Sequence, residues 1–307
     1  MVKIEDKIKQ KAKFLGFDLI GITSAGPVDS VHIEYFKKWL ADGRHGTMAW
    51  LKKNIDKRFN PALLLPDAQS AICTALNYKP LAPPAKIASY ALYQDYHDFI
   101  KKRLFELADF IKGETDNNLK FKTCVDSAPL AERALAARAG LGFIGRNHIL
   151  INPQLGSFLL LGELITNLPL KQDEPIQRKD FCKNCTHCID TCPTGAISKK
   201  ESFDARKCIS YLTVEHKGRI PNELKPKINS CLFGCDKCIL ACPYNSKASA
   251  CKNKDFKFFA ERLNLSPERI LQFSQKDFDN LLSDSPINRA GLHRLKRNAL
   301  ICLKNAV

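Results

Sequence analysis

"FCKNCTHCIDTCPTGAI", residues 181–197, gathers four cysteines into one short run and closes on a proline. Cys182, Cys185, Cys188 and Cys192, followed by Pro193, fit C-x2-C-x2-C-x3-C-P without deviation. In that spacing the first three thiolates hold one four-iron cube and the fourth reaches across to a second. Zinc is the rival. It asks for four donors in a tetrahedral cage, usually as two separated pairs, and gives no reason for three evenly spaced cysteines and a terminal proline. The stretch reads as half of an iron–sulfur module.

"CLFGCDKCILACPYN", residues 231–245, supplies the other half. Cys235, Cys238 and Cys242 with Pro243 repeat the last three positions, but Leu232 stands where the first ligand belongs. Cys231, one residue early, and Cys208, upstream, are the candidates to replace it. Reciprocal crossing assigns cluster one to Cys182, Cys185, Cys188 and Cys242. Cluster two takes Cys192, Cys235, Cys238 and either Cys208 or Cys231. Cys73, Cys124, Cys251 and Cys302 read as small buried hydrophobes.

Outward from this module, the chain changes character on both sides. Helical spacing is expected over residues 3–15, 31–43 and 95–113, and over "PLAERALAARAG", with Pro129 in its first turn. Strands are expected at "DLIGIT", "SAICTALNY", "IASYALY" and "LKFKTCV". "HILIN" and "SFLLLGELITNL" look like a pair joined through "PQLG". The polar, Pro-containing "PLKQDEPIQRKD" marks a boundary. The expected fold is α+β or mixed α/β: a catalytic front domain over 1–172, a ferredoxin-like two-cluster module over 173–250, and a short helical, basic segment over 251–307.

The chain has 307 residues, 45% hydrophobic and 26% charged, which reads as a soluble globular protein large enough for two or three domains. The longest stretch free of acidic and basic side chains, between Arg146 and Glu163, is too short and too polar to span a bilayer. The N-terminus lacks the apolar core and cleavage site of a secretory signal and has no twin-arginine motif, so the expected compartment is the cytoplasm. There thiols stay reduced, and nine of thirteen cysteines falling between Cys182 and Cys242 point to metal rather than to disulfides. A formal charge of +16 fits a polyanionic partner such as nucleic acid; a lysine-rich solubilising surface is the blander explanation.

Two motifs in the front domain bear on chemistry. "GLGFIG", Gly140 to Gly145, satisfies G-x-G-x-x-G, but a helix precedes it and a strand follows, the reverse of a dinucleotide site. Its glycines are expected to cap a helix and turn the chain. Asp126 falls where a strand gives way to a helix. Either Asp126 or Ser127 caps that helix, or the Asp126 carboxyl acts as a proton donor with its pKa lifted by burial.

Seven stretches together resemble the epoxyqueuosine reductase family, cobalamin-dependent iron–sulfur enzymes of the queuosine pathway. They are "MAWLKKNIDKRFNP", "SYALYQDYH", "VDSAPLAERALAARAGLGFIGRN", "GSFLLLGELIT", "FCKNCTHCIDTCPTGAI", "CISYLTVEHKG" and "GCDKCILACPYN". The resemblance implies a cobalamin-binding front domain related to reductive dehalogenases and two [4Fe-4S] clusters. It implies removal of the epoxide oxygen from epoxyqueuosine at the wobble position of tRNA, leaving queuosine and water. "CISYLT" puts the remote cluster ligand on Cys208, and Asp126 matches the family's proton donor. Arg58, Tyr90, His97, Asp126, Gly145 and Asn147 lie in motifs that frame the corrinoid, and Ser210 and Asp236 lie beside the ligands of cluster two.

"DYHDFI" carries Asp95 and His97 but Ile100 where D-x-H-x-x-G needs glycine, and the resemblance likewise implies no histidine below the cobalt. The implied partners are the anticodon stem-loop of a tRNA carrying epoxyqueuosine and an external low-potential electron donor; no membrane is involved, and a monomer is expected. Longer family members continue into helical repeats, so here the basic residues after Pro286 are expected to help grip phosphates. The rival readings are a dehalogenase-like corrinoid enzyme and a non-catalytic dicluster electron carrier.

Overall fold

Residue spacing and caps account for the front domain's elements in order. The computed structural model describes residues 2–115, 118–177, 182–198 and 202–305. Helix α1 (Ile4–Phe14) buries Ile8 and Ala12, one turn apart, and carries Glu5 and Asp6 in its first turn against Lys11 and Lys13 in its last, matching its dipole. Strand β1 (Leu19–Ser24), helices α2 (Ser30–Ala41) and α3 (Ile55–Phe59) and strand β2 (Ser70–Asn77) follow. Asp95 then caps α4 (Tyr96–Glu114) by accepting the His97 N–H. Strand β3 (Phe121–Cys124), helix α5 (Glu132–Arg138), the short strands β4 (Phe143–Ile144) and β5 (Leu150–Ile151), and the long β6 (Leu159–Thr166) complete this part.

The main sheet has the order β1-β2-β6-β3 and is antiparallel throughout. β2 is buried at every position, because α4 covers one face and α5 the other. Ile72 and Leu76 join the core on the α4 side; Ala71, Cys73 and Ala75 join the smaller core under α5. Gly162 lets α4 lie close on β6: a Cβ there would stand 2.5 Å from Ile100 Cγ2.

Three expectations fail here for identifiable reasons. "IASYALY" is not a strand but a 3-10 turn, Ser89–Leu92, because its backbone partners lie in other parts of the chain. Ala88 N–H donates to Phe233 O, Ser89 N–H to the Asp236 carboxylate, and the carbonyls of Ala91 and Tyr93 accept from Arg262. "HILIN" does not pair with β6. β5 pairs with β4, while both edges of β6 are already taken by β2 and β3. Pro129 lies outside α5, whose N-cap is Ala131; the Ala131 N–H is held by the Arg58 carbonyl.

The cysteine-rich part contains α6 (His187–Asp190), α7 (Ile209–Val214), α8 (Lys225–Ile228), α9 (Lys237–Leu240) and α10 (Pro243–Ser246). α6 and α9 pack together and bear the equivalent cysteines Cys188 and Cys238. The segment "PLKQDEPIQRKD" runs at its end into residues 178–180, which lie outside the described residues, as does Phe181. The remaining helices are α11 (Pro267–Gln272), α12 (Gln275–Leu282), opened by a Ser274/Asp277 capping box, and α13 (Gly291–Lys304). Arg297 donates to the carbonyls of Leu212, His216 and Gly218, and Asn298 to those of Thr213 and Leu232. Arg294 donates to Val214 O. Two of the basic residues expected to reach phosphates are therefore occupied in fastening α13 to the cysteine-rich part. Among the described residues, no helix is long and apolar enough to cross a membrane.

Candidate functional site

The eight motif cysteines divide between two cavities. Cys182, Cys185, Cys188 and Cys242 line one of about 350 Å³, which Arg146 and Asn147 also reach. Cys182 takes a left-handed backbone (φ 59°), Cys188 rides on α6, and Cys242 caps α10. Cys192, Cys208, Cys235 and Cys238 line the second, of about 440 Å³. Cys208 enters it from the N-cap of α7. Cys231 does not line it; its thiol hydrogen-bonds the Cys235 sulfur and is pushed well up, first by that bond and then by burial. Of the two candidates left open by spacing, Cys208 is the one that shares the cavity.

Such a set suits a cationic iron core. Burial pushes the Cys238 thiol up, and the neighbouring Cys208 and Cys235 sulfurs push it further; Cys208 is pushed up to about 11, chiefly by burial. Thiolates crowded around one space repel one another unless a cation compensates them.

The second cavity abuts a third, of about 470 Å³, across a shared wall that includes Tyr35, Phe36, Leu51, Arg133 and His148. Tyr90, Asn147, Ser210 and Asp236 face the cysteine side; Arg58 and Asp126 face the other. The walls are mostly apolar, yet Arg58 Nε, Asn147 Nδ2 and His148 Nε2 are buried without hydrogen-bond partners. Unmatched buried polar atoms around an apolar slot fit a large planar ligand with a polar fringe, such as a corrin with its amides. Gly145 does not line the space. It sits in the β4–β5 turn, where a Cβ would stand 2.4 Å from Ile151 Cδ1. His97 touches the cavity through Asp126.

Asp126 is neither a cap nor a member of α5. It follows β3 in a left-handed conformation (φ 54°), and its side chain is 57% exposed at the cavity rim. His97 Nε2 lies 3.1 Å from Asp126 Oδ2, and His97 Nδ1 lies 2.6 Å from Asp95 Oδ1. Tyr96 stacks on the imidazole with ring centroids 3.9 Å apart. Burial alone would push His97 down and Asp126 up. The hydrogen bonds and opposite charges outweigh it, so His97 is raised and Asp126 is lowered. The expected lift of the Asp126 pKa is absent; the imidazole between two carboxylates is the group whose protonated form is favoured.

Two acidic residues escaped the sequence reading. Glu132 opens α5, lines the Asp126 cavity, and accepts the Asp126 N–H at 2.5 Å. Burial, followed by the Asp126 charge, pushes it up to about 8. Glu163 is wholly buried in β6, with no hydrogen-bond partner on either oxygen, and burial pushes it up strongly. Its interruption of the apolar run "SFLLLGELITNL" was a visible signal; Glu132 carried none.

The family model described as "4Fe-4S double cluster binding domain" matches residues 181–245, and "Epoxyqueuosine reductase QueG, DUF1730" matches residues 58–127. The epoxyqueuosine reductase of Pseudomonas aeruginosa is 38% identical over 99% of this chain and 86% of its own length. A crystal structure of epoxyqueuosine reductase with a tRNA-Tyr epoxyqueuosine-modified stem loop superposes with a TM-score of 0.88 at 32% identity, over 98% of this chain and 81% of the other. The Bacillus subtilis enzyme, described with the aspartate of its catalytic loop swung out of the active site, gives 0.88 at 31% identity over the same shares.

Proposed function

The chain belongs to the epoxyqueuosine reductase family, and from that premise we propose that it removes the epoxide oxygen of epoxyqueuosine at the wobble position of tRNA, with cobalamin and two [4Fe-4S] clusters as cofactors. Cys182, Cys185, Cys188 and Cys242 would hold one cluster; Cys192, Cys208, Cys235 and Cys238 would hold the other. Such clusters would supply single electrons from a low-potential donor. Arg58, Asn147 and His148 would offer their unmatched polar atoms to the corrin fringe, while Tyr90, Ser210 and Asp236 would border it on the side of cluster two. Bound cobalamin, once reduced, supplies a nucleophilic metal for an electrophilic epoxide carbon.

Asp126 protonates the departing oxygen, because an alkoxide leaves poorly and protonation lowers that barrier. Its proton comes from His97. When the modified base covers the exposed carboxyl, lost solvation favours the neutral acid, and a proton moves from His97 Nε2 to Asp126 Oδ2 along their hydrogen bond. Asp95 holds the other face of the ring and fixes its orientation. A catalytic aspartate loop that swings in a relative suits the position of Asp126 in a loop with a left-handed backbone. The relative bound to a modified stem loop supports tRNA as substrate, with the target base turned into the pocket.

The observation that carries this reading is the His97–Asp126 pair at the rim of a cavity adjoining the one ringed by four cysteines. The test is anaerobic incubation of the reconstituted protein with cobalamin, a strong reductant and epoxyqueuosine-containing tRNA, followed by mass analysis of the nucleosides. Wild type yields queuosine; Asp126→Asn keeps both cofactors and loses turnover by about 100-fold or more. An Asp126→Asn variant at the wild-type rate sinks the assignment.

A further inference from the structure

Converting an epoxide to an alkene and water takes up two electrons and two protons. One carbon–oxygen bond breaks as the oxygen gains its first proton, and the second breaks as another proton completes the water. The electrons are those of a low-potential one-electron donor, delivered through the clusters. Asp126 holds one proton at a time, so a second acid must stand within reach.

On the reading above, we propose that Glu132, backed by Glu163, is that second acid: it holds beside Asp126 the proton that completes the water. Glu132 lines the same cavity as Asp126, and its Oε1 is fixed by the Asp126 N–H. Beneath it in the sheet, Glu163 lies between Cys73 on β2 and Cys124 on β3, on the face that α5 covers. Neither Glu163 oxygen has a hydrogen-bond partner, and its residue is 0% exposed. A carboxylate there would be buried and uncompensated, so Glu163 stays neutral. The site beneath the cavity thus gives Glu132 no counter-charge.

The other groups facing Glu132 are few. Arg133 comes from its own helix, Arg58 from α3, His97 and Tyr96 from α4, and Asp126 from the loop after β3. The Asp126 N–H, Arg133 and His97 favour its carboxylate; burial and the Asp126 charge favour the acid and prevail. Once Asp126 has delivered its proton and returned to a carboxylate, its charge keeps Glu132 an acid until the second proton is needed.

Glu132→Gln tests this directly, because the amide keeps an acceptor for the Asp126 N–H and removes only the proton. Infrared spectra of the full-length protein without substrate read un-ionised carboxyls independently of turnover. Wild type should show such a carbonyl band titrating away as the pH rises through about 8. Glu132→Gln should lose that band, and Glu163→Gln should lose a different, non-titrating one. With both cofactors and modified tRNA, wild-type turnover should fall as Glu132 ionises. Glu132→Gln should turn over about 100-fold more slowly at neutral pH and keep only the basic limb that His97 imposes. An unchanged carboxyl band, or an unchanged rate in Glu132→Gln, overturns the proposal. A wild type that makes no queuosine overturns the function proposed above; the infrared band decides the state of Glu132 by itself.

Discussion

Cys208 and Cys231 both stand close to Cys235, yet of the two only Cys208 lines the second cysteine cavity. Cys208→Ala should lose about half the iron of the reconstituted protein, and Cys231→Ala should keep it all; equal loss in both would mean that the cavity does not choose the ligand. The Asp95–His97–Asp126 chain makes a second prediction, on stability. His97 is raised, so its contribution is full below its ordinary value of 6.5 and disappears as the pH rises through its folded pKa. Asp95 and Asp126 are lowered, so theirs is present above 3.8 and disappears as the pH falls through their folded values. The stability lost in His97→Gln should therefore be largest between pH 3.8 and 6.5 and shrink on either side. Urea denaturation across that range is the measurement, and a pH-independent difference would refute the pairing. Seven of the eight cysteines proposed as cluster ligands follow from spacing alone, because a cubane fixes its ligands' separations along the chain. His97 and Glu132 could not be read this way: what matters about them is a contact with Asp126 made only when α4, β3 and α5 come together.

At the level of elements, what could be read from the sequence were those whose partners are local. α1, α4, β1 and β2 follow from period and caps, since a helix satisfies its own backbone and a long apolar strand has few alternatives. "IASYALY" alternates as well as any strand, but its hydrogen bonds go to Phe233, Asp236 and Arg262, far along the chain. No local pattern announces that. The contact between α4 and β6 shows the same dependence on close approach. A Cβ at Gly162 would meet Ile100 Cγ2 at 2.5 Å and Leu104 Cδ1 at 3.2 Å, and both side chains are fully buried. Gly162→Ala should therefore destabilise the protein by about 1–3 kcal/mol through overpacking. The urea midpoint should fall with its slope unchanged; an unmoved midpoint would mean that α4 shifts freely.

Over the whole molecule, the boundaries suggested by composition are crossed by packing. One continuous core contains Ile8 and Leu104 of the front part, Leu212 and Ile239 of the cysteine-rich part, and Ile270 and Leu295 of the C-terminal helices. Arg262, almost wholly buried, ties the carbonyls of Ala91 and Tyr93 to those of Leu281 and Asp284. A core shared in this way predicts one cooperative transition in place of separate meltings of an enzyme and a ferredoxin. The chain supplies its own reporter. Of its two tryptophans, Trp50 is half exposed, whereas Trp39 is buried, lines the cluster-two cavity and donates Nε1–H to Phe203 O at 2.7 Å. Tryptophan emission therefore follows the seam between the front part and the cysteine-rich part, and visible absorption follows the clusters. In anaerobic urea titrations of the reconstituted protein, the two signals should fall together, and stripping the iron with a chelator should shift the Trp39 emission before any denaturant is added. Loss of cluster absorption at a lower urea concentration than the tryptophan change would show that the cysteine-rich part opens by itself, and the single shared core would then fail as the source of cooperativity.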